Sequence, residues 1–185
     1  MEEFIKICLQ GKGWKHCSEN WNSWDFERTA DRLKLQVKQA AQLQTWDLDE
    51  HKNVVIERKT RDVRFSVAPA KGYYENGILW RRLPFPQRLA ELYVFAYHPL
   101  ENSSADHWDV EQWRFYVWRE VDLPPGSKSV SLAFVQSKSS GVSIGALEPK
   151  ISQIAGLMSP NGRTETARPH PRDPVDDAEP LGSSG

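Results

Sequence analysis

Three residues of different chemistry stand near one another early in the chain: Asp25, Gln36 and Lys38. A carboxylate and an amide oxygen are donors suited to a hard divalent cation such as Mg²⁺ or Mn²⁺. A lysine beside them can orient or deprotonate water, or balance charge that builds on phosphorus. Cleaving a phosphodiester needs these parts together: a held cation, an activated water and positive charge near the scissile phosphate. Side chains on a strand repeat every two residues, so Gln36 and Lys38 share a face while Val37 is buried behind them.

The elements that must position them follow from the local pattern. Trp24–Arg28 reads as a strand, residues 29–31 as a turn, and Arg32–Lys38 as a second strand, in which Leu33, Leu35 and Val37 alternate with polar residues. Asp25 then faces Gln36 and Lys38 across a half-buried antiparallel pair. Residues 39–46 lose the alternation, which predicts a bulge or a turn of helix. Upstream, EEFIKICLQ places Phe4, Ile5, Cys8 and Leu9 at helical spacing, and Gly11 and Gly13 end the helix.

Downstream, Asp47–Lys52 is a charged loop, and Val54–Ile56 and Val63–Val67 read as short strands. From 57 to 88 the chain is basic, with Arg61, Arg64, Arg81, Arg82 and Arg88 interleaved with Phe65, Tyr73, Tyr74, Trp80 and Phe85. Gly72, Gly77, Pro84 and Pro86 predict a loop there. Such a stretch suits a groove that follows a phosphate backbone, with rings for splayed bases. Glu91–Tyr97 is almost continuously apolar and predicts a buried strand. An acidic loop over 101–111 precedes a strand at Arg114–Glu120. Ser129–Val135 is a strand or short helix, and 141–154 holds the last helix. Residues 1–157 form one domain. Over 158–185, Pro160, Pro169, Pro171, Pro174 and Pro180 with mixed charge predict a disordered tail.

Bulk properties narrow the classes. At 185 residues, 39% hydrophobic and 26% charged, the chain can bury a real core. A net charge of −1 leaves no global field to draw nucleic acid, so any such contact must be local. The two cysteines, Cys8 and Cys17, form no zinc or disulfide pattern. No run has the length of a membrane span, and the acids ahead of the first short apolar run do not fit a signal peptide. The cytoplasm is the expected location.

The stretch KQAAQLQTW is similar to the KSSAYLQSW-type segment of one bacterial family in the PD-(D/E)xK restriction-endonuclease-like superfamily. Lys38, Ala41, Leu43, Gln44 and Trp46 match it outright. EEFIKICLQ is similar to that family's opening helix, AELYVFAYH resembles its central strand, and WRFYVWREVDLPPGSKSVSL resembles its FYV…KSISL segment. The resemblance implies an α/β restriction-endonuclease-like fold: a mixed, mainly antiparallel sheet with few flanking helices. It implies a metal-dependent DNA endonuclease with Asp25 and Gln36 as ligands of Mg²⁺ (or Mn²⁺), Lys38 as the catalytic lysine and Glu3 as an outer carboxylate. Gln44 would orient the substrate backbone or support Lys38, and Arg61, Arg64, Arg81 and Arg82 would meet DNA. A homodimer is allowed. The departure is Gln36, where the family carries an acid. It favours a competing expectation, a nuclease-fold protein that has lost catalysis and binds nucleic acid or regulates. A small β-rich module without a nucleic-acid role is the third.

Plainer roles exist for the same residues. Lys38 can be the solvated end of an edge strand. Asp25 can pair with Arg32 or Lys34 across the hairpin. Glu3 can be a first-turn acid that complements the helix dipole.

Overall fold

The computed structural model describes residues 1–17, 23–44, 62–75 and 78–158. The predicted Val54–Ile56 strand, the loop at 47–52, Arg61 and the tail from 159 on lie outside the described residues.

The first helix, α1 (Glu2–Leu9), carries Glu2 and Glu3 in its first turn and buries Ile5 and Leu9. Gly11 and Gly13 follow it at φ of 69° and 77°, the left-handed region that glycine enters without a Cβ clash. Three short strands then fold back and forth: β1 (Trp14–His16), β2 (Phe26–Arg28) and β3 (Lys34–Ala41). The β2–β3 turn is longer than its sequence predicts. Arg32 sits at φ 63°, and its N–H donates to the Arg28 carbonyl at 2.9 Å. The second strand therefore starts at Lys34 rather than Arg32. The arginines of this turn are used locally: Arg28 grips Asp31 with two bonds of 2.9 and 2.6 Å, and Arg32 Nε lies 2.9 Å from Glu27 Oε1.

Residues 39–41 correct the expected bulge or helical turn. They continue β3, because β3 pairs in parallel with β7 (Leu92–His98) from Leu35↔Leu92 to Ala41↔His98. A long-range ladder overrides a weak local pattern. The last strand of this sheet, β8 (Arg114–Arg119), is antiparallel to β7, which gives the order β1-β2-β3-β7-β8. The architecture is thus α/β, with a mixed, mainly antiparallel sheet and few helices.

One face of that sheet is covered by α1 and α3 (Ile144–Gly156), which bring Ile5, Leu9, Leu147 and Ile151 onto Phe26, Leu35, Val94 and Phe115. The other face is covered by a small two-stranded sheet, β4 (Arg64–Ser66) with β9 (Ser129–Ser131), and by α2 (Leu132–Ser137). The stretch predicted as strand or helix is both in turn. The Ser131 hydroxyl caps α2 by accepting from the Phe134 N–H at 3.2 Å. On this second face Phe65, Val130 and Val135 meet Tyr93, Phe95 and Trp118.

The stretch expected to be a loop around Gly72, Pro84 and Pro86 forms an antiparallel ribbon instead, β5 (Ala70–Glu75) with β6 (Leu79–Gln87). Its register jumps from Ala70↔Gln87 to Gly72↔Arg82, so both prolines fall in the bulged part, where a missing N–H disrupts least. Gly72 is needed because a Cβ there would come within 2.5 Å of the Trp80 indole. Among the described residues no helix is long and apolar enough to cross a membrane.

Candidate active site

Beyond Phe26, β3 runs on while β2 does not, and the two part at Asp25. The Asp25 N–H donates to the Leu35 carbonyl at 3.0 Å, although the register partner of Leu35 is Phe26. This one-residue step places the Asp25 side chain against β3, where its Oδ2 accepts the Val37 N–H at 2.6 Å. The carboxylate thus takes the place of the missing neighbour strand. It is seated on the peptide N–H of the residue between Gln36 and Lys38.

Gln36 and Lys38 both open on a cleft of about 230 Å³ between the second face of the sheet and β4, with Ser23, Ser66, Arg88 and Tyr93 among its walls. The common face expected for Gln36 and Lys38 is present. Val37 packs behind them with the residues under α1 and α3. Asp25 is not among the residues that line the cleft.

The electrostatics couple these groups. Burial pushes the Asp25 carboxyl above its ordinary range, the Val37 N–H works against that, and the charge of Glu2 adds to it. Burial pulls the Lys38 ammonium down, and the Asp25 charge opposes the shift. A lysine drawn down in this way is nearer to a neutral amine that can accept a proton. Tyr93, the β7 partner of Gln36 across the parallel ladder, has its phenol pushed by burial up to about 12, so it stays a hydrogen-bonding hydroxyl at neutral pH.

Of the remaining predicted residues, few join this group. Glu3 is solvent-exposed and lies 3.4 Å from Lys6, as a first-turn surface acid. The turn of α1 directs Glu2 inward instead, where its Oε1 lies 2.6 Å from His16 Nε2 and its charge is felt at Asp25. Gln44 turns back to the end of β3, donating to the Ala41 carbonyl at 3.0 Å. Arg64 is exposed and bonds to Ser129 and Asp62. Arg81 and Arg82 are exposed on β6. Arg88 is buried and donates to the carbonyls of Val67, Pro124 and Ser127, so it clips β4 and the 124–127 loop onto the sheet. The Asp25–Arg32 and Asp25–Lys34 pairings do not form, since Arg32 goes to Glu27 and the Lys34 ammonium sits 4.2 Å over the Trp24 ring.

Sequence reasoning missed Glu2, His16 and Tyr93. Glu2 differs from Glu3 by one 100° step on a helix. The signal was the helical spacing: Glu2 stands three residues before Ile5, on the face that buries Ile5 and Leu9, and Glu3 does not. Tyr93 reaches the site through a parallel register that no local period encodes.

Among the described residues no group of three or more His, Cys, Asp and Glu side chains is placed to hold a metal ion. The donors on offer are one carboxylate and one amide. Mg²⁺ keeps several of its waters and takes only one or two carboxylates from a protein, with substrate phosphates filling the rest. One carboxylate and one amide make no closed structural site, and are the kind of donors that such a loosely held ion takes. Burial raises the Asp25 pKa, and a cation bound there would oppose that shift. Compared with protein-family models, curated proteins and solved structures, the chain finds no match, so its site stands on its own chemistry.

Proposed function

We propose that this chain is a metal-dependent DNA endonuclease, or a close relative of one, that hydrolyses phosphodiester bonds at the cleft beside β3. The observation that carries this reading is the seat of Asp25 on the Val37 N–H, flanked by two side chains that open on one cleft. The mixed sheet, with an antiparallel β1–β2–β3 meander and a parallel β7, is compatible with a restriction-endonuclease-like arrangement.

Asp25 and Gln36 would hold Mg²⁺ (or Mn²⁺), which when bound supplies Lewis acidity at the phosphate. As a neutral amine, Lys38 would take a proton from the water that adds to phosphorus, and the leaving oxygen, as its bond to phosphorus breaks, would take a proton from solvent, to which the Lys38 ammonium returns its own. Tyr93, beside Gln36 on the sheet, and Ser66, on the β4 wall opposite, would offer hydroxyls for the phosphate oxygens.

A second reading is favoured by the donor set itself. A neutral amide at Gln36 binds a hard cation more weakly than an acid does. The chain is then a nuclease-fold protein that binds nucleic acid or regulates without cutting. Plasmid nicking with Mg²⁺ or Mn²⁺, run beside Lys38→Ala, separates the two. Metal-dependent nicking that vanishes in the variant supports the endonuclease. Salt-sensitive DNA binding without nicking supports the second reading. A chain that neither nicks nor binds sinks both.

A further inference from the structure

The β5–β6 ribbon is the part of the molecule whose exposure the fold does not explain. A two-stranded hairpin alone is marginally stable in water, and its sequence normally hides at least one face. This ribbon buries Gly72 and half-buries Tyr73 and Leu83, but leaves most of its large side chains in solvent. Leu79, Trp80, Arg81, Arg82 and Phe85 are all exposed, with Leu79 and Trp80 at 50% and Phe85 at 62%. The register places Tyr74, Trp80 and Arg82 on one face and Tyr73, Glu75, Leu79 and Arg81 on the other. Each face thus carries one guanidinium beside apolar surface. Over Ala70–Glu75 and Leu79–Gln87 the charged residues are Lys71, Arg81 and Arg82 against Glu75, an excess of positive charge in a chain of net charge −1.

The geometry points to a polyanion with two walls. We propose that the ribbon enters a groove of duplex DNA and holds it across the cleft beside β3; this rests on the nuclease-fold reading of that cleft and names the form of its substrate. The major groove admits a two-stranded β-ribbon, and a phosphate strand runs along each of the groove's rims, within reach of long side chains such as Arg81 and Arg82. At about 3.3 Å per residue, β6 spans roughly 30 Å, close to one turn of the duplex. The base of the ribbon is at the right place: Ala70, which pairs with Gln87, lines the same cleft as Gln36 and Lys38.

Two other occupants fit less well. A protein strand added to β6 would need its N–H groups, and Pro84 and Pro86 remove two of them. A single strand stacked on rings needs open ring faces in a row. Trp80 instead lies against Gly72 and meets Tyr74 edge-on at 5.1 Å, and the exposed apolar side chains are divided between the two faces.

The test uses the full chain and a fluorescein-labelled duplex of about 20 base pairs, two helical turns. Anisotropy is followed over a salt series for the wild type, the Arg81→Ala/Arg82→Ala double variant and its Lys/Lys counterpart. Both side chains lie in solvent, and circular dichroism checks that the fold is kept. The proposal expects the Ala/Ala variant to bind the duplex about tenfold more weakly or worse. Its slope of log affinity on log salt should flatten by roughly 2, whereas the Lys/Lys variant keeps the wild-type slope. Equal binding by Ala/Ala and wild type overturns it. So does tighter binding of the matching single strand, or no binding by the wild type. The same proteins in the nicking assay keep the two readings apart. Ribbon-dependent duplex binding without nicking leaves the ribbon standing and removes the catalytic reading. Metal-dependent nicking with unchanged affinity in the Ala/Ala variant does the reverse.

Discussion

The two faces of the central sheet are built on different rules. Under α1 and α3, the β3 positions are Leu35 and Val37, and their neighbours are Phe26, Val94, Phe115 and Ile151. On the opposite face the same strand presents Gln36 and Lys38, beside Tyr93 and Phe95 on β7. Hydrophobic side chains at those two positions would extend the second core without a break. Instead a lysine and an amide are half-buried there, and the neighbouring Asp25 is buried enough to lose part of its tendency to ionise. For both Asp25 and Lys38 the cost of burial outweighs the attraction between them, since desolvation is the largest cause of each shift. The first face is apolar throughout, whereas the second places half-buried polar groups where β3 meets the cleft, the arrangement that the proposed chemistry would use.

That contrast can be broken most strongly on the helical face. Phe115 is fully buried, and Phe115→Ala removes a ring that cannot be replaced by collapse, for a loss of about 3–5 kcal/mol in urea unfolding. Lys38→Met, on the other face, should show no such loss. The Lys38 pKa is lowered, so its contribution to stability is present above its ordinary 10.5 and lost as pH falls through the folded value. At neutral pH its charge is a cost that Met removes, so an unfolding midpoint below wild type would contradict the contrast.

The next effect is a pH dependence. The Asp25 pKa is raised above its ordinary 3.8, so its contribution to stability is fully present below that value and lost as pH rises through the folded one. Asp25→Asn keeps an oxygen for the Val37 N–H but cannot ionise. Thermal melts should show the variant gaining on wild type as pH rises above the ordinary carboxylate value of 3.8, until Asp25 is ionised in the folded state. Added Mg²⁺ should raise the wild-type Tm and leave the variant unchanged. A flat difference across pH would show that the carboxylate is not held as the structure has it.

The smallest effect separates the two acids of α1. Glu3→Gln should change stability by less than about 0.5 kcal/mol and leave nicking unaltered, as for an exposed surface pair. Glu2→Gln should lower the pH at which Asp25 ionises, because it removes the negative charge that raises that pKa. Carboxyl resonances followed through an NMR titration report it directly. Equal behaviour of the two variants would return Glu3 to the candidate site.

What could be seen in the sequence was whatever a local period encodes. The apolar run of β7, the alternation of β3 and β8, and the glycines after α1 each state their element within a few residues. The shared face of Gln36 and Lys38 belongs with these, since period two needs no partner to define it. The rest depends on where distant pieces meet. The Asp25 seat arises from a one-residue step against β3, and Tyr93 from the parallel ladder. The ribbon was hidden by Gly72, Pro84 and Pro86, which signal loops locally. Here the glycine makes room for the Trp80 ring, and the prolines occupy a break in register.

The parallel pairing of β3 with β7 also sets an order of events at synthesis. Leu35 and its partner Leu92 are 57 positions apart (92 − 35). A ribosome adding roughly 5–20 residues per second needs on the order of 3–11 seconds to make that length. Through that interval the β1–β2–β3 meander can form, but its open edge has nothing to pair with, and Leu35 and Val37 have no sheet neighbour on that side. A nascent chain halted before Leu92 therefore exposes an adhesive strand, and it holds Gln36 and Lys38 without the Tyr93 wall of their cleft.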